Sequence, residues 1–230
     1  METQVYAYGD SLLKATMPDE NFRYHFHINE IIDKYVPEGF KIINRAKMGA
    51  TIRKGKALIE HDLERGMDAK YALVDFGGND CDFNWEEVAA NPEGEHHCHT
   101  EMPEFLQTLK ETTTALSERG IQPVLMTLPP IDGQRYLDFF CRNGVDKDKV
   151  LQWLGDAQMI YRYQEWYSDA VAKFATEEKL PLIPVREAFL QDRDFSNMIA
   201  SDGIHLTMPG YDRLYSTISD WMQTHLGVEN

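Results

Sequence analysis

The chain reads as an α/β protein, one parallel sheet with helices on both faces. Three observations predict this. Short apolar runs recur along the whole length of 230 residues. Amphipathic helical patterns separate them. Several of the runs are almost continuously apolar and rich in Val and Ile, as strands covered on both faces are. Strands that alternate with helices imply parallel pairing and right-handed crossovers.

The first strand-like run is residues 4–8, and Gly9-Asp10-Ser11-Leu12 follows it at once. The second, 41–44, leads into Asn44-Arg45-Ala46-Lys47-Met48-Gly49, and the third, 71–76, into Gly77-Gly78-Asn79-Asp80. Runs 123–128 and 181–185 complete five strands. Between them, Met102, Phe105, Leu106, Leu109 and Leu116 keep a period of about 3.6 residues. Tyr211, Leu214, Tyr215, Ile218, Trp221 and Met222 do the same after Thr207-Met208-Pro209, a helix start signal. A stripe of Tyr163, Trp166, Tyr167 and Phe174 has helical spacing and is read as core packing. With no repeat, linker or low-complexity tract, residues 1–230 are expected to form a single domain.

Two stretches exceed a five-unit core. Residues 81–100 read as a polar loop. Residues 131–162 lie between the fourth strand and the next helix. Loops at the carboxyl ends of parallel strands surround the ligand crevice, so both insertions are expected to overhang it. Their aromatic residues Trp85, Tyr136, Phe139 and Trp153 are the expected pocket walls.

Charge and cysteine content narrow the function. A formal charge of −15 argues against nucleic acid and anionic membrane surfaces, which need Lys and Arg to neutralise phosphate. Cys81, Cys98 and Cys141 are odd in number and too sparse for a disulfide framework, which favours a reducing compartment. The N-terminus shows no basic and apolar leader pattern, and no apolar stretch approaches the ~20 residues of a membrane span. A cytoplasmic protein without membrane insertion is expected, and a homo-oligomer is compatible with the sequence. His96-His97-Cys98-His99 has ligand types that suit zinc. Adjacent residues in a loop meet a tetrahedral demand poorly, so the segment is read as a solvated lid, with no metal or other cofactor.

The residues at the strand ends carry chemistry. Ser11 is a weak nucleophile until a base takes its proton. His205, in Ser201-Asp202-Gly203-Ile204-His205, is the candidate base. Asp202, three residues before it, can reach Nδ1, fix the tautomer and leave Nε2 for Ser11. A developing oxyanion needs donors, and the candidates are the Asn79 side chain and the backbone N–H groups of Gly49 and of Ser11, the last at an expected helix entrance. Asp10 is read as bracing the Ser11 turn, Asp80 as bracing the Asn79 loop, and Asp75 as an end-of-strand residue without chemistry. Each motif alone is common. Their order and shared placement at strand ends make the joint signal strong.

On these residues, from Gly9 to Pro209, the chain resembles the SGNH hydrolases, also called GDSL esterases and lipases. In that resemblance Ser11 matches the nucleophile, Gly49 and Asn79 the oxyanion-hole pair, His205 the base and Asp202 its acidic partner. Ala46 and Met48 stand where the family commonly has Gly and Ser. The resemblance implies a flavodoxin-like three-layer αβα sandwich with strand order 2-1-3-4-5, and metal-free hydrolysis of small-molecule esters through an acyl-serine. Family substrates are broad. Short acyl groups, with O-acetylated carbohydrate as the natural class, are the favoured reading here. Lysophospholipase, thioesterase or acyltransferase action would use the same site. A binding protein on a hydrolase scaffold would need neither an activated serine nor its base.

Overall fold

The computed structural model describes residues 2–226, so the extreme ends of the expected 1–230 unit lie outside the described residues. Five parallel strands form the main sheet: β1 (Thr3–Gly9), β4 (Phe40–Asn44), β5 (Tyr71–Asp75), β6 (Gln122–Met126) and β7 (Leu182–Ile183). They lie in the order β4-β1-β5-β6-β7, the expected 2-1-3-4-5. Successive side chains point to opposite faces of a strand, and here both faces are apolar. Tyr8, Ala72, Val74 and Leu125 pack on α2 (Ile52–Glu64), α4 (Met102–Glu118) and α7 (Gln158–Glu177). Val5, Ala7, Leu73, Val124 and Met126 pack on α1 (Ile28–Tyr35), α8 (Val185–Leu190) and α9 (Met208–His225).

The anticipated helical stripes are the buried faces. Helix α4 buries Met102, Phe105, Leu109 and Leu116, and α9 buries Tyr211, Leu214, Ile218 and Met222. The Thr207 hydroxyl accepts from Gly210 N–H to cap α9. In α7, Tyr167 and Phe174 are core, but Trp166 is 53% exposed and departs from the core reading. No helix of the described residues is long and apolar enough to cross a membrane.

Three features differ from the expectation. The first is that no helix begins at Ser11. Lys14 and Thr16 donate their N–H groups to the Ser11 carbonyl, and Ala15, at φ 48°, closes a single tight turn. A hairpin of β2 (Thr16–Pro18) and β3 (Tyr24–Phe26) follows before α1. The dipole argument for the Ser11 N–H therefore falls away, while its position at the strand end remains.

The second is that residues 81–100 are not simply a polar loop. They hold α3 (Trp85–Ala90), capped by the Asn84 side chain accepting from Glu87 N–H. The third is that residues 131–162 contain α5 (Gly133–Cys141) and α6 (Lys147–Leu154) and run into the start of α7. Asp132 and Asp146 cap α5 and α6 with their carboxylates. Together the two insertions enclose a separate apolar core of Phe83, Trp85, Val88, Tyr136, Leu137, Val150, Leu154 and Ile160. Apolar residues too few to cover the sheet thus cover each other, above the carboxyl ends of the strands.

Candidate active site

Ser11 stands two residues past the end of β1, which lies inside the sheet between β4 and β5. The serine turn is held from three sides. Asp10 Oδ1 accepts the Leu12 N–H at 2.9 Å. The Asn44 side-chain amide donates to the Leu13 carbonyl at 2.6 Å. Lys47 N–H donates to the Gly9 carbonyl at 2.9 Å. The bracing role expected of Asp10 has a concrete form here, a carboxylate replacing the helix that does not form.

His205 Nε2 lies 2.9 Å from Ser11 Oγ, and His205 Nδ1 lies 2.6 Å from Asp202 Oδ2. Asp202 Oδ1 also accepts the N–H groups of Ile204 and His205, at 3.2 and 3.0 Å. Both side chains are buried, Asp202 fully and His205 at 3% exposure. With Nδ1–H given to the carboxylate, Nε2 is the atom left to accept from the serine hydroxyl. Gly203 makes the turn between them possible. Its φ is 81°, and a Cβ there would stand 2.4 Å from Tyr136 N, because the turn presses on the start of α5.

Asn79 reaches the same place from the end of β5. Its Nδ2 donates to Asp10 Oδ2 at 2.7 Å and, at a longer 3.3 Å, to the Ala50 carbonyl. The short bond orients the amide, and the long one is the weaker of the two. Asp80 accepts the Ile52 N–H on both oxygens, at 3.0 and 3.1 Å, and so ties the Asn79 loop to the start of α2. Gly49 sits in the loop just before Ala50, at φ 67°, a conformation that favours glycine. It is exposed, and the lining of the cavity beside Ser11 does not include it.

That cavity, about 70 Å³, opens beside Ser11, Asn79 and His205. Its walls come from both insertions, as expected, and are mostly apolar: Cys81, Phe83, Ile131 and Ile160 among them. Trp85 and Tyr136 line it. Phe139 and Trp153 do not. Phe139 packs on Phe22 (5.2 Å between ring centroids) under the Arg142 guanidinium, and Trp153 packs edge-on against Phe83 at 5.0 Å. Both back the wall rather than form it.

Sequence reasoning missed two contributors. Tyr24, on the unanticipated hairpin, sets its ring 4.9 Å from the His205 ring. Burial, then the charge of Asp202, pushes its hydroxyl up to about 12, so it stays a neutral cover over the histidine. Asp82, two residues past Asp80, lines the cavity itself. The only sequence signal was its place in the same strand-end loop as Asn79.

The carboxyls beneath the site sort by donors. Burial raises Asp202, but the hydrogen bond and charge of His205 with two backbone N–H groups outweigh it and hold the group below the ordinary range. Burial wins at Asp10, against Leu12 N–H, His205 and Asn79. It wins further at Asp75, where the charge of Asp10 adds to it and Oδ1 has no partner among the described residues. Asp75 is a buried group at the end of β5.

The histidine-rich segment is tied down rather than loose. His96 bonds the Asn91 carbonyl, His97 the Glu101 carboxylate and His99 the Asn79 carbonyl, while Cys98 meets the Tyr167 hydroxyl. Among the described residues no three His, Cys, Asp or Glu side chains converge as a metal site.

Residues 7–213 match the GDSL-like lipase/acylhydrolase family. An isoamyl acetate-hydrolyzing esterase of Saccharomyces cerevisiae is 22% identical over 224 residues, covering 94% of this chain and 84% of the relative. In fold, the chain is similar to a lipase/acylhydrolase from Enterococcus faecalis (18% identity, 99% of each chain, TM-score 0.63). It is also similar to a catalytic mutant of an acetylxylan esterase from Geobacillus stearothermophilus (16% identity, 100% and 97% of the two chains, TM-score 0.62). The chain belongs to the GDSL-like lipase/acylhydrolase family and is a carboxylic ester hydrolase of the SGNH type.

Proposed function

We propose that this hydrolase acts on short-chain, chiefly acetyl, esters through an acyl-serine, with Ser11, His205 and Asp202 as its triad. The observation that carries the reading is the unbroken hydrogen-bond line from Asp202 through His205 to Ser11, ending at the cavity. Ser11 Oγ attacks the ester carbonyl carbon as His205 Nε2 takes its proton. Asp202 stabilises the imidazolium. The carbonyl oxygen becomes an oxyanion, met by Asn79 Nδ2 in place of the long bond to Ala50 and by the N–H groups of Ser11 and Gly49. Collapse of the tetrahedral intermediate breaks the ester C–O bond, and His205 returns the proton to the departing alcohol. Water then attacks the acyl-serine, giving its proton to His205. The second collapse frees the carboxylic acid as the proton passes back to Ser11.

Cavity size favours a short acyl group. At ~10–15 Å³ for each water-sized group, a cavity of about 70 Å³ holds roughly five to seven. The yeast relative is named for an acetate ester and the Geobacillus neighbour for acetylxylan, which supports acetyl transfer to water and O-acetylated carbohydrate as the natural class. A cytoplasmic, reducing location is part of the same reading, supported by three unpaired cysteines.

The test is hydrolysis of nitrophenyl esters from two to twelve carbons by the wild type and Ser11→Ala. Turnover should peak at acetate and vanish in the variant, at roughly a millionfold loss, with the fold intact by circular dichroism. Turnover that survives Ser11→Ala would overturn the triad. A peak at long chains would overturn the short-acyl assignment.

A further inference from the structure

The two insertions meet at one carboxylate. Asp82 lines the cavity beside Ser11, within a wall otherwise built largely of apolar side chains. Its Oδ1 accepts the Trp85 indole N–H at 2.9 Å, and its Oδ2 accepts the Tyr136 hydroxyl. Trp85 belongs to the first insertion and Tyr136 to the second. The Trp85 ring also stacks on Phe140 of the second, with centroids 4.6 Å apart and planes 4° from parallel. Both donors are themselves buried.

A carboxylate placed in an apolar wall is costly unless donors take up its oxygens, and apolar side chains would fill the same space at less cost. What the carboxylate adds is direction. The Trp85 bond fixes the carboxylate on its own insertion, and the Tyr136 bond crosses to the other, so that one short bond of fixed geometry sets the separation of the two insertions at the cavity, which apolar packing alone would leave adjustable. Chemistry assigns the two sides of the site. The alcohol must leave and water must enter while the acyl group is still attached to Ser11. We take the apolar side between the insertions as the acyl side on that ground.

We propose that Asp82, bridging Trp85 and Tyr136, is the specificity-determining clamp of this site: it holds the end wall where a short acyl chain fits and a longer one is stopped. The proposal rests on the acyl-serine reading above. Removing the Tyr136 hydroxyl breaks the bond that crosses to the second insertion and frees the two sides of the wall to separate. Removing the Asp82 carboxyl lengthens the cavity directly.

The experiment compares kcat/KM for nitrophenyl acetate, butyrate, hexanoate and octanoate in the wild type, Tyr136→Phe and Asp82→Ala, each with and without Ser11→Ala. A methylene admitted to a hydrophobic pocket is worth ~10–200-fold. The octanoate-to-acetate ratio should therefore rise at least about tenfold in both clamp variants. A uniform loss at every chain length, with the ratio within about twofold of wild type in folded Asp82→Ala, would reduce the clamp to a structural brace and overturn the proposal. If Asp82→Ala does not melt cooperatively, Tyr136→Phe decides by the same ratio. Ser11-dependent turnover with an unchanged ratio overturns the clamp alone, whereas turnover independent of Ser11 overturns the site itself.

Discussion

Asp202 and Asp10 lie under the same serine, both buried, yet their carboxyls shift in opposite directions. The difference is what faces them. Asp202 accepts three N–H groups, one from the imidazole it serves, while Asp10 accepts one backbone N–H and the amide of Asn79. A carboxylate so well supplied stays ionised without solvent and keeps Nδ1 protonated. Asp202→Asn would retain bulk but face Nδ1 with an acceptor of weaker pull or with an N–H2 group, favouring the wrong tautomer. The expected result is a kcat fall of about 10³–10⁴-fold, with KM changed little and the melting curve intact. A kcat within tenfold of wild type would show that Asp202 does not set the tautomer. This pair was readable in the sequence because three residues separate its members and one turn joins them. Tyr24, which covers the same histidine from near the other end of the chain, has no local signature. Nothing in Asn-Phe-Arg-Tyr-His announces a histidine almost the whole chain away.

The elements were legible in proportion to their length and regularity. Strands β5 and β6 could be read because each is a nearly continuous run covered on both faces, β1 and β4 as short runs leading into the Gly9 and Asn44 motifs, and α4 and α9 because their apolar period repeats over about three turns or more. The hairpin strands span three residues each, too few for any period to show, whereas β7, of two residues, lies inside the expected run 181–185. Helix α3 lay within a polar stretch, though Asn84 with Glu87 three residues on is the capping pattern that could have revealed it. The junction of β5 and α2 carries a pH prediction. Asp80, buried between them, accepts the Ile52 N–H, and burial pushes its carboxyl up from 3.8 to about 6 despite that bond. The folded protein therefore holds this proton more tightly than the unfolded chain. The stability it contributes is full below about pH 3.8 and is lost as pH rises through about 6. Asp80→Asn keeps an acceptor for Ile52 but does not titrate. Relative to wild type, the variant should gain about 3 kcal/mol of unfolding free energy between pH 3.5 and 7.5, read from urea melts at the two values. Parallel pH profiles would show that the Asp80 charge is not confined.

At the scale of the whole molecule there are three cores and not two. The sheet carries one on each face, and because both share the same strands they must form and fail together. The third is built from the insertions alone, centred on Leu137, Val150 and Trp85. It reaches the main body through Ile160 on α7, the Gly203 turn against α5, Asp132 N–H on the Gly203 carbonyl at 2.8 Å, Arg135 on the Ser196 and Ile199 carbonyls, Phe139 on Phe22, Cys98 on Tyr167, and His99 and Thr100 on the Asn79 and Asp80 carbonyls. A body so joined can open while the sheet stays folded, because the free energy of local opening follows the apolar surface that the opening bares to water and not the size of the chain. Leu137 is fully buried, and Leu137→Ala should cost about 2–5 kcal/mol of packing within that core. Native-state hydrogen exchange would then show faster exchange in α3, α5 and α6, with the central strands β1, β5 and β6 as protected as before. Acceleration spread evenly over sheet and insertions would mean that the three cores unfold as one unit. Confined acceleration would locate the low-stability part of the protein in the wall of the cavity beside Ser11. The rigid sheet would then fix Ser11, Asn79 and His205, while the separable third core sets what reaches them.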